Sequence, residues 1–134
     1  MSHFTKVNTQ IKELALLKRA IETAGFTCVD AQGELIKIKG WNHDTADVLM
    51  EIKTTGPYSI GVIQNNETGT FEFVADWWGV ETYNEITKED FLNTITQKYA
   101  YNTIMDKIKE KGFNIVSDET DNSKHIHIVV RRWN

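Results

Sequence analysis

A pattern that occurs twice sets the strongest constraint on how this chain can fold. Thr9-Gln10 precedes Gly25-Phe26 by the same interval as Thr96-Gln97 precedes Gly112-Phe113, and in that register Ile21 matches Ile108 and Val29 matches Val116. Each copy reads as helix, Gly-Phe, strand, turn, strand, Trp. In the first, Ile11, Leu14, Leu17 and Ile21 recur at helical spacing with Lys12, Lys18 and Glu22 opposite, which predicts an amphipathic helix over 10–24. Gly25 supplies the left-handed residue that ends it, and Phe26 begins a hairpin turned at Ala31-Gln32-Gly33 and running to Trp41. In the second, Thr87 caps a helix reaching Lys111, and a hairpin with its tip at Asp118 to Ser123 follows. Ile36 and Ile38 before Trp41 line up with Ile128 and Val130 before Trp133.

The second helix changes phase along its length. Phe91, Leu92, Ile95 and Tyr99 share one stripe, whereas Tyr101, Ile104, Met105 and Ile108 form another, predicting a kink or a change of packing partner near Gln97 to Tyr101. Between the two units, alternating runs at Ala46 to Lys53, Ser59 to Gln64 and Thr70 to Trp78 predict an antiparallel meander, and His3 to Asn8 a short first strand. The 134 residues suffice for one domain burying about two-thirds of its unfolded surface. The fold expected is α+β: a two-layer sandwich over residues 1–134, with an antiparallel sheet carrying two main helices on one face and an internal helix-hairpin pseudo-repeat.

Strand parity then sorts the side chains that carry chemistry. Ile126, Ile128 and Val130 share a face with the pattern of Ile36 and Ile38, and that face is expected to pack on the helices. His125, His127, Val129, Arg131 and Trp133 take the other. His125 and His127 at i, i+2 present two imidazoles to one ion, and His3 completes a third ligand if the first strand lies beside the last. No glutamate or further histidine stands at close spacing, so a solvent-facing pair is preferred to a metal site. By the same parity Lys37, Lys39 and Trp41 stand with His127, Arg131 and Trp133, a locally basic outer face with aromatic members suited to a partner.

Thr70 to Gly79 is the most aromatic stretch. Phe71, Phe73, Ala75 and Trp77 read as core, and Trp78 falls opposite, exposed at the strand's end. Cys28 aligns with Ile115, a position for an aliphatic side chain rather than a nucleophile. Asp118, Glu119 and Asp121 form a solvated turn, and His43-Asp44 has no serine or cysteine to activate. The chain carries no glycine-rich phosphate loop, no Cys-x-x-Cys and no helical His-Glu motif, so no catalytic residue and no cofactor is assigned.

Composition narrows the setting. A net charge of −4 argues against a dedicated nucleic-acid binder, and no apolar run approaches a membrane span. One cysteine and the absence of a basic-then-apolar leader place the chain in a reducing, cytoplasm-like compartment.

Met1-Ser2-His3-Phe4, Thr9-Gln10-Ile11, Val74-Ala75-Asp76-Trp77, Ile95-Thr96-Gln97-Lys98-Tyr99-Ala100-Tyr101, Gly112-Phe113 and Arg132-Trp133 together resemble the uncharacterised hypothetical chloroplast reading frame thirty-five family of cyanobacteria and algal plastids. The likeness covers essentially the whole chain. It implies a cyanobacterial or plastid-stroma setting and supplies no activity or catalytic residues. The expectation is therefore a small non-catalytic accessory protein that binds an unidentified protein partner through Lys37, Trp41, Trp78, His127, Arg131 and Trp133. The alternative is a metal- or small-ligand-binding protein using the outward histidines, and an open sheet edge makes a homodimer natural.

Overall fold

The computed structural model describes residues 3–120 and 125–132. The chain runs β1 (Phe4–Asn8), α1 (Leu14–Thr23), β2 (Thr27–Asp30), β3 (Ile36–Lys39), β4 (Thr45–Val48), β5 (Met50–Lys53), β6 (Ile60–Gln64), β7 (Phe71–Asp76), α2 (Trp77–Tyr83), α3 (Lys88–Glu110), β8 (Phe113–Thr120) and β9 (Ile126–Arg132). A single turn of 3-10 helix, Trp41–His43, joins β3 to β4. Five strands form one antiparallel sheet in the order β1-β7-β6-β5-β2, while β3-β4 and β8-β9 form separate two-stranded ribbons. This is an α+β fold, as the sequence predicts.

One face of the large sheet meets the helices. Met50, Val62, Phe73 and Ala75 from the strands bury against Leu17, Ala20 and Ile21 of α1 and Phe91 and Ile95 of α3. Phe91 sits at the centre, with Phe73 edge-on at 5.1 Å between ring centroids, Phe26 at 5.3 Å and Trp77 at 6.0 Å. Removing each large apolar side chain from water contributes about 1.5–3 kcal/mol, so this layer supplies most of the driving force. The first turn of α3 is held as expected, Thr87 Oγ1 accepting from the Asp90 N–H at 3.0 Å.

The opposite face carries a second, smaller core. The β3-β4 ribbon lies across it, and Ile38 and Val48 meet Val74 with Phe4, Ile36 and Ile63 around them. Gly61 in β6 makes the close approach possible, because a Cβ there would run into Val48 Cγ1. The sheet is thus covered on both faces, by helices on one and by the ribbon over part of the other.

Four expectations change. The first predicted hairpin does not close on itself: β2 pairs with β5 and β3 with β4, so the helix-hairpin repeat is not reproduced in the pairing. The run 46–53 divides at Leu49, whose N–H reaches Val62 O at 2.8 Å; Val48 then faces the small core and Met50 the large one. The third meander strand ends at Asp76, and Trp77 and Trp78 open a helix instead.

The fourth change concerns β9. His125 and His127 are exposed, as predicted, but Val130, expected on the packed face, is 38 % exposed. β9 pairs with β8 in a two-stranded ribbon separate from the main sheet, and the successive residues Val129 and Val130, which point to opposite faces of it, are both exposed.

The phase change in α3 proves to be a change of partner. The helix is continuous from Lys88 to Glu110. Its first half packs Phe91 and Ile95 on the sheet. Its second half turns to α1 and β8: Asp106 takes Arg19 at 2.7 and 3.1 Å, Asn102 Nδ2 donates to Thr23 Oγ1 at 3.3 Å, and the Tyr101 hydroxyl donates to Asp118. Among the described residues no helix is long and apolar enough to cross a membrane.

Candidate binding site

Among the described residues, the exposed aromatic side chains gather at one place. Trp41, Trp78 and Tyr83 are 41 %, 43 % and 46 % exposed, yet each ring touches the other two. Trp41 meets Trp78 edge-on at 5.1 Å and lies over Tyr83 at 5.9 Å with 9° between planes. Tyr58, half-buried, backs Tyr83 at 5.6 Å. Leaving three large rings in water forgoes the stabilisation that burial gives.

Buried polar side chains hold this platform in shape. Asp76 ends β7 with only 2 % exposure, and its two oxygens face different elements. Oδ2 accepts from the Trp41 N–H at 2.7 Å and Oδ1 from the Gly79 N–H at 3.2 Å. One carboxylate therefore caps the start of α2, which carries Trp78 and Tyr83, and fixes the turn that carries Trp41. Asn84, also 2 % exposed, does the same at the other end of α2. Its Nδ2 donates to Thr54 Oγ1 and Tyr58 O, and its Oδ1 accepts from the Tyr58 N–H at 3.3 Å. Gly56 gives it room, since a Cβ there would meet Asn84 Oδ1. Gly79 likewise lets Tyr58 approach, with its Cδ2 3.0 Å from where a Cβ would stand.

The turn presenting Trp41 is strained. Asn42 and His43 both adopt left-handed backbone, at φ 66° and 68°. A left-handed residue that is not glycine costs on the order of 1 kcal/mol, and two in succession persist only because Gly40 N–H to Asp44 O at 2.7 Å and the Asp76 contact impose them. Beside the rings a cleft of about 470 Å3 opens between the Lys39–His43 turn and Pro57-Tyr58. Lys37 is tied to Asp47 at 2.9 Å, whereas Lys39, which lines the cleft, makes no ion pair among the described residues.

The sequence-predicted site residues divide. Trp41 and Trp78 come together, with Lys37 on the strand leading to them. His127 and Arg131 lie on β9, which belongs to a different sheet from β3, so the single outer face expected from parity is not formed. Trp133 lies outside the described residues. His3 precedes β1, whose neighbour is β7 rather than β9, so the condition for a three-histidine set is not met. Among the described residues no cluster of three or more His, Cys, Asp or Glu is arranged to hold a metal ion.

Tyr58, Tyr83, Asp76 and Asn84 are not singled out by sequence reasoning. The available signal is Asp76 itself, an N-cap residue directly before Trp77-Trp78-Gly79, but the alternation of Thr70 to Trp78 masks it.

Comparison with known proteins places this architecture. Residues 20–129 match the model of a family described as "Protein of unknown function (DUF1257)". The chain belongs to that family. Proteins named "Uncharacterized protein ycf35" resemble it over nearly their whole length. The one from Pyropia yezoensis is 33 % identical over 100 % of this chain and 99 % of its own. That from Cyanophora paradoxa is 32 % identical over 99 % and 98 % respectively, and that from Guillardia theta 30 % over 99 % and 98 %. No solved structure matches the chain. The DUF1257 match spans both Trp41 and α2, and so contains the whole platform.

Proposed function

We propose that this protein is a non-catalytic accessory protein that binds a protein partner through the platform of Trp41, Trp78 and Tyr83. The observation that carries the reading is that three exposed aromatic rings from two separate elements are locked together by one buried carboxylate, Asp76. Trp and Tyr dominate the energetics of protein interfaces because they offer large, stiff contact areas at low entropic cost. Both Asp76 oxygens accept from backbone N–H groups and the side chain is buried, which favours a positioning role for it over acid-base chemistry.

The partner segment lays an apolar or aromatic side chain on the rings and turns a carboxylate toward Lys39 across the cleft. A net charge of −4 makes a polyanionic nucleic acid the poorer occupant. The setting proposed is the cytoplasm of a cyanobacterial-type cell or a plastid stroma, in keeping with the relatives from Pyropia yezoensis, Cyanophora paradoxa and Guillardia theta.

The experiment is affinity capture from a cyanobacterial or algal extract with wild type, Trp41→Ala and Trp78→Ala, followed by reconstitution with the purified captured protein. Both variants should lose the same protein and bind it at least tenfold more weakly in the purified system. Retention of every captured protein by both variants would remove the platform as the site.

A further inference from the structure

A second cavity lies where the helical layer meets the edge strand β1. It is an open groove of about 530 Å3 between the segment Val7 to Ile11 and one flank of α3. Val7, Phe73, Leu92 and Ile95 make it apolar, and Gln10, Thr96 and Tyr99 bring amide and hydroxyl groups to its margin, while the Asn8 amide oxygen is taken by the Thr70 hydroxyl at 3.2 Å. None of its lining side chains among the described residues is charged.

We propose that this groove binds a small, neutral, amphipathic molecule: an apolar chain or ring with an uncharged carbonyl or hydroxyl head. Three observations converge on that class. The volume falls within the range of sites that enclose small molecules, about 300–1,000 Å3, and exceeds what one inserted side chain fills. The apolar wall gains from covering an apolar body, at about 25 cal/mol per Å2 removed from water.

The lining decides the head group. A carboxylate or phosphate would enter with no cation to receive it, and an ammonium with no carboxylate, each losing hydration without recompense. A neutral carbonyl or hydroxyl loses far less and finds amides and hydroxyls to pair with. Thr9 shows why the rim is firm: its hydroxyl donates to Phe71 O at 2.6 Å and accepts from the Ile11 N–H at 3.2 Å, which fixes the segment that closes one side. The groove is independent of the aromatic platform, whose residues are absent from its lining.

The test is a titration of the full chain, followed by 15N NMR and thermal unfolding, with methyl nonyl ketone, undecanoate and decyltrimethylammonium as probes. The ketone should bind saturably, shift the backbone resonances of Leu92, Ile95 and Tyr99, and raise the unfolding midpoint. It should bind at least tenfold more tightly than either charged probe. Leu92→Trp, which fills the groove, should abolish the response, and Trp41→Ala should leave it intact. Thr96→Trp at the exposed rim serves the same purpose if Leu92→Trp does not fold. Absence of saturable ketone binding to the wild type, equal binding of undecanoate, or undiminished binding in the folded filled variant would overturn the proposal.

Discussion

Trp41 and Tyr83 lie with their rings 9° from parallel and 5.9 Å apart, although one belongs to a turn between two ribbon strands and the other ends α2. Neither element would hold that geometry alone, since three residues of 3-10 helix and seven of α-helix are each too short to be stable in isolation. The link between them is Asp76. That dependence makes the platform testable one residue at a time.

Asp76→Ala removes acceptors from the Trp41 and Gly79 N–H groups together. The expected loss is about 2–4 kcal/mol in urea unfolding, with Trp fluorescence more readily quenched by acrylamide at the same time. Asp76→Asn keeps a single carbonyl oxygen and should lose roughly half as much.

Gly61→Ala is expected to destabilise by about 1–3 kcal/mol, because the new methyl meets Val48 across the small core. The double variant Gly61→Ala/Val48→Ala should recover part of the first loss, and strict additivity of the two changes would show that the ribbon does not pack there.

Phe91→Ala opens a cavity at the junction of Phe73, Phe26 and Trp77, with an expected cost of about 3–5 kcal/mol. Ile104→Ala, on the exposed side of the same helix, should change stability by less than about 0.5 kcal/mol.

Cys28 provides the pH test. Burial pushes its thiol up to about 11, with Glu22 and Asp30 adding to the rise and Lys18 opposing it. The thiolate is the reactive form, so alkylation by iodoacetamide at pH 8 should run about a hundredfold slower in the folded protein than after unfolding in urea. The sign for stability follows. An unfolded thiol loses its proton near pH 8.5, so stability should fall as pH rises from there toward 11. Cys28→Ala should remove the part of the fall that sets in first, leaving that of Tyr101 and Lys18, both raised by their carboxylate partners, at higher pH.

Much of this was legible in the chain before the fold. Helical spacing located α1, Thr87 announced α3, and alternation at Phe71, Phe73 and Ala75 marked a buried strand, all through interactions local in sequence. The solvent-facing position of Lys37 was readable from the same parity, whereas Trp78 is exposed as expected but from a helix rather than a strand's end. What escaped was decided by distant contacts. Whether β2 pairs with β3 or β5 depends on the turn at Trp41–His43 and on Gly61 admitting the ribbon, neither of which periodicity encodes. Helix α2 escaped because Trp77 continues a strand pattern that only the Asp76 cap interrupts, and with it went Tyr83 and half of the platform. The exposure of Val130 escaped because β9 joins a ribbon separate from the main sheet, and parity alone does not say which ribbon face is covered.

The most direct measurement of the central claim follows the indole Nε1–H resonances, assigned by single Trp→Phe variants, as the purified captured partner is added to saturation. Trp41 and Trp78 should shift or broaden while Trp77, 6 % exposed beneath them in the core, holds its position. Unmoved Trp41 and Trp78 signals in a saturated complex would contradict the account.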